Sequence, residues 1–180
     1  MPLALHSPLL EQHLDALRRA TLTNPVLDLA CGGGRNGLFL ARNGIKVLFA
    51  DRDPESLAII DQIIAEESLG ASTWLVDFEK GDEPLTGKTF GAVIVFRYLH
   101  RPLFVSIKQA IQTGGMIVYE TFNVEQREFG RPKRAEFLLE KGELPKYFLD
   151  WQLLHTFDGI VQQPLSAISQ LVAKNTSVSA

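Results

Sequence analysis

Three consecutive glycines, Gly32, Gly33 and Gly34, stand between an apolar run and a helix-like segment. Gly32, Gly34 and Gly37 match the spacing G-x-G-x-x-G, and Asp51 follows the first of them by 19 residues. This arrangement is typical of a loop that brings bare backbone against a nucleotide cofactor, with the distal acid on a ribose hydroxyl. The alternative is a turn that needs glycine only for a tight strand-to-helix connection. The order of strand, loop, helix and acid favours the cofactor site.

The carboxylate of Asp28 distinguishes between two kinds of nucleotide cofactor. A phosphate-binding loop directs backbone N–H groups and a helix N-terminus at an anion, and a carboxylate in the preceding strand would repel that anion. S-adenosylmethionine carries a sulfonium and an ammonium group instead, so an acid beside it is favourable. The pattern Asp28-x-Ala30-x-Gly32-x-Gly34 resembles motif I of the class I S-adenosylmethionine-dependent methyltransferases, with Ala30 where glycine is frequent.

The resemblance continues along most of the chain and implies a site. In this family an acid in the position of Asp51 holds the ribose diol, and a pair in the position of Asp77 and Phe78 reads the adenine edge. The segment Phe96–Arg101 corresponds to a wall of the methyl-transfer cleft. Asn36 is expected either to contact the cofactor or to cap the following helix. The cofactor residues expected on this basis are Asp28, Ala30, Gly32, Gly34, Asn36, Asp51, Arg52, Asp77, Phe78, Phe96 and Arg97.

Several stretches narrow the resemblance to small bacterial methyltransferases of the tellurite-resistance type, or described only as a methyltransferase domain. They are the segment 28–57 and the short runs YLHRPL, ETF, GRPK and FLLEKGEL. The resemblance implies S-adenosylmethionine as cofactor and a small-molecule acceptor. No Asn/Asp-Pro-Pro-Tyr/Phe segment follows the fourth strand, where FRYLHR stands, and this argues against the amino-directed nucleic-acid enzymes of the family.

Methyl transfer by in-line displacement depends on alignment of the acceptor more than on acid–base help. His100 and Glu120 are the nearest candidates for a base and are therefore the expected catalytic residues. His100 could instead start the following helix and bond to backbone. Cys31 is the single cysteine and is expected to be a small buried residue, not a nucleophile. The four histidines show no metal-ligand spacing, so no metal is expected.

The elements that must position these residues alternate between strand and helix. Continuous apolar runs indicate strands buried on both faces, as in a parallel sheet between helices. With the resemblance, they predict an α/β, three-layer Rossmann-like methyltransferase fold. Its mostly parallel seven-stranded sheet would have the order 3-2-1-4-5-7-6, with the last strand antiparallel and helices on both faces. The predicted strands are 25–31, 45–51, 72–78, 90–98, 116–122, 151–157 and 167–175, and the predicted helices are 7–20, 37–43, 54–69 and 101–113.

The segment 123–142 departs from this alternation because it is polar and basic and contains Gly130, Pro132 and Gly142. It greatly exceeds an ordinary connection of about 2–6 residues and is predicted to be a mobile lid over the acceptor site. The apolar residues expected to anchor the closed lid are Phe129, Phe137, Leu138 and Leu139. The basic residues that could clamp an anionic acceptor, or form a solvated face, are Arg127, Arg131, Lys133 and Arg134.

Length and charge set the remaining expectations. The chain has 180 residues, of which 46% are hydrophobic, and suits one domain spanning 1–180. A net charge of -3 gives no expected attraction to nucleic acid or to an anionic membrane. The lack of a signal-peptide pattern and of a long apolar run predicts a cytoplasmic protein. Two other functions stay open: a nicotinamide-dependent oxidoreductase on a related fold, which Asp28 disfavours, and a non-catalytic S-adenosylmethionine-binding module.

Overall fold

The computed structural model describes residues 6–81 and 83–177. Residues 1–5, 82 and 178–180, which the expected domain includes, lie outside the described residues. A seven-stranded sheet has the order β3-β2-β1-β4-β5-β7-β6. Its strands are β1 (Val26–Leu29), β2 (Val47–Asp51), β3 (Ala71–Leu75), β4 (Phe90–Phe96), β5 (Ile111–Phe122), β6 (Gln152–Gln162) and β7 (Leu165–Lys174).

The strands from β1 to β5 pair in parallel, and β7 runs antiparallel to both β5 and β6. The predicted strand order and the antiparallel last strand are therefore confirmed. All residues of β1 and β4 are buried, as expected for central strands with layers on both faces. β6 is an edge strand and alternates between exposed and half-buried residues.

Helices cover both faces of the sheet, as predicted. They are α1 (Pro8–Gln12), α2 (Leu14–Ala20), α3 (Arg35–Arg42), α4 (Pro54–Glu67) and α5 (Leu103–Ala110). One apolar cluster joins α1 to α4 with the sheet and includes Leu10, Leu40 and Ile60. A second cluster lies on the opposite face, where Phe104 of α5 and Phe148 pack against the strands.

The predicted helix 7–20 is wrong in one respect, because it is two helices. Ser7 caps α1 as expected, since its Oγ accepts the N–H of Leu9 at 3.3 Å, and Pro8 occupies the first turn. The chain leaves helical geometry at His13, where φ is -114° and ψ is 12°. The His13 ring lies edge-on to the ring of His155 in β6, with centroids 6.1 Å apart.

The predicted helix 101–113 is also too long. It ends at Ala110, and Ile111 already pairs with Phe90 as the first residue of β5. A pairing register between distant strands therefore overrides the local helical pattern at this end. Gly115 allows a close approach there, because a Cβ on it would lie 2.7 Å from the carbonyl oxygen of Gly91.

The segment 123–142 contains two short 3-10 turns, Val124–Glu128 and Ala135–Phe137. Its two ends are joined, since Leu139 donates its N–H to the carbonyl oxygen of Phe122 at 3.0 Å and accepts from Val124 at 2.9 Å. Asn123 is fully buried and its side chain donates to the carbonyl oxygen of Ile168 at 3.0 Å. The base of the segment is thus part of the folded body.

The apolar residues of this segment divide into two pairs. Leu138 and Leu139 are buried and anchor the base. Phe129 and Phe137 are 38% and 41% exposed, so they do not form the buried base, and their role as anchors of a closed lid stays a prediction. The predicted basic residues Arg127, Arg131, Lys133 and Arg134 are all exposed. The segment 123–142 therefore has a buried base and an exposed tip.

Candidate functional site

Three parallel strands end at one edge of the sheet and bring the predicted cofactor residues together. β1 ends just before Ala30, β2 ends at Asp51, and β4 ends just before Arg97. Open α/β sheets bind ligands at this carboxyl edge. Among the cavities that the described residues line at this edge are one of about 740 Å³ and one of about 300 Å³. Ala30 and Arg97 line both, so the two cavities form one crevice.

Every predicted cofactor residue except Gly34 lines this crevice. The larger cavity is lined by Asp28, Ala30, Gly32, Asn36, Phe96 and Arg97. The smaller cavity is lined by Ala30, Asp51, Arg52, Asp77, Phe78 and Arg97. Gly34 faces α4 instead, where a Cβ would lie 2.8 Å from Cδ1 of Ile60. The geometry brings these residues together, and their contacts with a cofactor stay a prediction.

The glycine loop is tied to the end of β2 by Asp51. Ala30 and Gly32 have φ values of 54° and 52°, a region that glycine enters without strain. The Asp51 carboxylate accepts the N–H of Gly32 at Oδ2 over 2.8 Å and the N–H of Asp53 at Oδ1 over 3.0 Å. Each oxygen keeps a lone pair for a second donor. Asp51 can therefore hold the loop and still accept hydrogen bonds from a ligand.

Asp28 lies beneath the loop and is almost completely buried, at 2% exposure. Its Oδ2 accepts the N–H of Gly37 at 3.0 Å, and a Cβ on Gly37 would lie only 2.6 Å from that oxygen. Burial, and to a smaller extent the charge of Asp51, raises the pKa of Asp28 to about 7. A cation placed in the larger cavity would favour the ionised form of Asp28.

The smaller cavity has a rim of carboxylates. Asp77 lies just beyond β3, and its Oδ1 accepts the N–H of Glu79 at 3.0 Å. That hydrogen bond is the main cause that holds the pKa of Asp77 below its usual range. Burial and the neighbouring Glu79 raise the pKa of Tyr98, so its phenol stays protonated. The residues that line this cavity include three carboxylates, Asp51, Asp77 and Glu79, and two cations, Arg52 and Arg97.

Glu120 is the centre of a buried polar network that the sequence does not reveal. Its side chain is buried, and Oε2 accepts from Oγ of Ser7 at 3.2 Å and from Nε2 of Gln170 at 2.7 Å. Its Oε1 pairs with Nη2 of Arg97 at 3.3 Å. Ser7 and Gln170 come from opposite ends of the chain, and no local pattern signals that they meet Glu120.

One nitrogen of the Arg97 guanidinium has no hydrogen-bond acceptor among the described residues. Its Nη1 is buried and has no hydrogen-bond partner in that part of the chain. The guanidinium lies 4.4 Å from the centroid of the Phe122 ring, and burial lowers its pKa. An unsatisfied buried donor costs about 1–3 kcal/mol, so Nη1 suits a ligand that offers an acceptor.

Asn36 does not cap the helix, which was one of the two expected roles. The N-cap of α3 is Gly34, and Asn36 is the second helical residue. Its Oδ1 accepts the backbone N–H of Ser7 at 2.9 Å. Asn36 thereby fixes the start of α1 against the larger cavity.

The two expected catalytic residues occupy different settings. His100 lines a third cavity of about 330 Å³ together with Glu79 and Phe137. Glu120 lies in the buried network beside Arg97. Their catalytic roles stay predictions. No group of three or more potential metal ligands occurs within residues 6–81 and 83–177. None of the helices described has the length and apolar character of a membrane span.

Solved methyltransferases share this fold. TehB from Haemophilus influenzae superimposes with a TM-score of 0.70 over 91% of this chain and 62% of that chain, at 22% sequence identity. A geranyl diphosphate C-methyltransferase from Streptomyces coelicolor A3(2), solved with S-adenosyl-L-homocysteine, superimposes with a TM-score of 0.68 over 93% of this chain and 77% of that chain, at 14% identity. The chain therefore has the Rossmann-like fold of the methyltransferases.

Within that class the chain belongs to the TehB family. The family model described as "Tellurite resistance protein TehB" matches residues 8–163. A relative from Haemophilus influenzae, named "Probable S-adenosyl-L-methionine-dependent methyltransferase TehB", is 29% identical over 149 residues, which are 79% of this chain and 51% of the relative. The chain spans about half the length of the curated relatives it matches. The resemblance to this family predicted from the motifs is confirmed.

Proposed function

We propose that the chain binds S-adenosylmethionine in the crevice and transfers its methyl group to a small-molecule acceptor. The observation that carries this proposal is the row of carboxylates along the crevice, Asp28, Asp51 and Asp77. Such a row suits a nucleoside joined to a cationic amino acid, whereas it repels the pyrophosphate of a nicotinamide dinucleotide. The family match and the name of the Haemophilus influenzae relative support the same cofactor.

The residues of the crevice fit the parts of this cofactor. Asp51 has lone pairs for the two ribose hydroxyls, and Asp77 is an acceptor for the exocyclic amine of adenine. Asp28 faces the larger cavity, where its charge would balance the ammonium or sulfonium group. Gly32 lines the same cavity and, having no side chain, leaves room for close approach.

When bound, S-adenosylmethionine supplies an electrophilic methyl group that a nucleophile attacks in line with the breaking carbon–sulfur bond. The chain contributes mainly by positioning, which is worth about 7–11 kcal/mol in well-aligned reactions. Phe96 and Arg97 wall the larger cavity and would orient an acceptor beside the methyl group. Because the cofactor supplies the reactive group and the chain supplies positioning, the proposed reaction needs no strong acid–base pair in the crevice.

The larger cavity favours an acceptor with negative charge. Arg97, whose buried Nη1 has no partner among the described residues, lines this cavity, and Arg35 lines it close enough for its charge to lower the pKa of Arg97 further, after burial. Glu120 already accepts hydrogen bonds from two residues and pairs with Arg97, so we assign it the holding of Arg97. His100 stays the predicted base for a protonated acceptor, although it lines another cavity, beside Glu79 and Phe137, and not the larger one.

Binding is tested by isothermal titration calorimetry with S-adenosylhomocysteine and with a reduced nicotinamide dinucleotide. We expect one equivalent of S-adenosylhomocysteine to bind and the dinucleotide not to bind. If the dinucleotide binds and S-adenosylhomocysteine does not, the proposed methyltransferase function is wrong and an oxidoreductase function is favoured.

Turnover is tested by S-adenosylhomocysteine formation on a panel of small acceptors. The panel includes neutral amines and thiols, organic carboxylates and inorganic oxyanions, among them tellurite because of the family's name. We expect product only with anionic members. Cofactor binding without product on any acceptor would favour the non-catalytic binding module.

A further inference from the structure

Phe137 connects the segment 123–142 to the smaller cavity. Its side chain is 41% exposed and lines that cavity together with Asp77 and Tyr98. The sequence predicts that this segment covers the acceptor. In the structure, its second 3-10 turn reaches the opposite end of the crevice, where the proposed function places adenine.

Arg101 grips the backbone on both sides of Phe137. Its Nη1 donates to the carbonyl oxygen of Glu136 at 3.2 Å, and its Nη2 donates to that of Leu138 at 2.8 Å. Arg101 itself follows the end of β4, three residues after Tyr98. Its guanidinium therefore ties the turn that carries Phe137 to the loop that forms the other wall of the cavity.

The other partner of Arg101 is Glu143. Arg101 Nε and Nη2 donate to Oε1 and Oε2 of Glu143 at 2.7 Å and 2.9 Å. Glu143 also accepts from the hydroxyl of Tyr147 at 3.0 Å, and the Tyr147 ring stacks on Phe104 of α5 at 3.8 Å. Planar two-point pairs of this kind fix geometry as well as charge. Arg101 is thus oriented by the folded body and not by the exposed tip.

We propose that Phe137 is the outer wall of the adenine site and that Arg101 is the positioning residue that holds it there. This inference rests on the proposed function, because it takes the smaller cavity as the adenine end. An aromatic ring against a base contributes enough affinity for its loss to be measured, at about tenfold. Arg101 contributes only through the placement of that ring.

The experiment measures the dissociation constant of S-adenosylhomocysteine by calorimetry for Phe137→Ala, Arg101→Met and the double variant. We expect Phe137→Ala to weaken binding about tenfold. Arg101→Met is expected to weaken binding by a similar or smaller factor. The double variant should bind no more weakly than Phe137→Ala, because Arg101 acts through Phe137.

Two matched controls come from the same segment. Phe129→Ala removes a ring of similar exposure that does not line the cavity, and Arg134→Met removes an exposed guanidinium that pairs with Glu136 within the described part of the chain. Both variants should bind S-adenosylhomocysteine like the wild type. Glu143→Gln removes the charge of the residue that orients Arg101 and keeps nearly the same side-chain shape. This variant is used in place of Arg101→Met if circular dichroism shows that Arg101→Met does not fold.

The outcomes separate this inference from the proposed function. A wild-type protein that does not bind S-adenosylhomocysteine would overturn the proposed function itself. A wild type that binds, with Phe137→Ala equal to Phe129→Ala, would overturn only the adenine wall. Losses from Phe137→Ala and Arg101→Met that multiply in the double variant would show that Arg101 acts elsewhere and is not the positioning residue.

Discussion

The carboxylate of Asp51 accepts hydrogen bonds from two backbone N–H groups of the protein itself. We predict that Asp51→Ala weakens S-adenosylhomocysteine binding about tenfold to a hundredfold. The loss of charge-assisted hydrogen bonds to two ribose hydroxyls, about 1.5–3 kcal/mol, accounts for that range. Calorimetry measures the change, and circular dichroism checks that the fold is retained.

Asp53 provides the matched control for Asp51. It caps α4 through hydrogen bonds from the N–H of Glu55 at 3.1 Å and the hydroxyl of Ser56 at 2.6 Å, and it is exposed. Asp53→Ala should lower the free energy of unfolding by about 0.5–2 kcal/mol and leave affinity unchanged. Unchanged affinity in a folded Asp51→Ala protein would remove the ribose role.

Asp28 predicts a pH dependence of binding. Because burial raises its pKa to about 7, the free protein holds this carboxyl protonated below that pH and ionised above it. A cationic ligand favours the ionised form, so binding releases a proton at low pH. We expect the affinity for S-adenosylhomocysteine to rise between about pH 6 and about pH 8, by up to about tenfold.

The Asp28→Asn variant isolates this titration from that of the ligand's own amine. Its affinity should vary less over the same range, and calorimetry in buffers of different ionisation enthalpy should show fewer protons released. An identical pH profile in both proteins would place the titrating group elsewhere.

At the scale of elements, the glycine loop and the start of α3 need glycine for two different reasons. A Cβ on Gly32 would meet no atom within 4 Å, whereas a Cβ on Gly37 would lie 2.4 Å from the Phe49 ring. We predict that Gly32→Val removes S-adenosylhomocysteine binding in a folded protein, because its side chain would enter the cavity. Gly37→Ala should instead destabilise the fold by about 1–3 kcal/mol through overpacking.

Urea unfolding and calorimetry separate these two effects. If Gly32→Val binds S-adenosylhomocysteine with normal affinity, the glycine loop serves only as a tight turn and does not contact the cofactor. A Gly37→Ala protein of wild-type stability would mean that α3 shifts away from β2 without cost.

The segment 123–142 predicts two rates of hydrogen exchange. Residues 127–134 form its exposed tip, while Asn123, Leu138 and Leu139 are buried at its base. Amides of the tip should exchange quickly in the free protein and slow down when S-adenosylhomocysteine and acceptor are bound. Amides of the base should be slow in both states. Strand-like protection of the tip in the free protein would exclude a lid.

For the molecule as a whole, ligand binding should raise the free energy of unfolding and therefore the melting temperature. S-adenosylhomocysteine at about 100 times its dissociation constant stabilises a protein by about 2.7 kcal/mol. For a chain of this size we predict a rise in Tm of roughly 5–10 °C, measured by differential scanning fluorimetry. Asp51→Ala should show a much smaller rise at the same ligand concentration. An equal rise with a reduced nicotinamide dinucleotide would contradict the assigned cofactor.

The sequence predicts the sheet and most crevice residues because both depend on local patterns. Buried parallel strands are continuous apolar runs, and an acid such as Asp51 at the end of such a run must lie at the carboxyl edge. Contacts between distant residues leave no such pattern. The break at His13 and the early start of β5 at Ile111 both follow from tertiary packing that overrides helical periodicity.

The same limit applies to the site. Ser7 and Gln170 hold Glu120 across separations of 113 and 50 residues, and Arg101 reaches Leu138 across 37. A motif identifies a residue by its neighbours in sequence, so it finds Asp28 and Asp77 but not the polar network behind Arg97. The sequence shows that Phe137 is apolar, and only its position in the folded chain shows which cavity it lines.

The insertion of β7 between β5 and β6 has a consequence for the order of synthesis. Glu120 lies opposite Gln170 in the β5–β7 pairing, and Gln170 is among the last described residues of the chain. On the ribosome, β1, β2 and β4 emerge first and can assemble the carboxyl edge with Asp28 and Asp51. Glu120 lacks one of its hydrogen-bond donors until Gln170 has been synthesised. The residues of the carboxyl edge are therefore synthesised before the strand that completes the support of Arg97, and a product terminated before β7 would carry Asp28 and Asp51 but leave Glu120 without the hydrogen bond from Gln170.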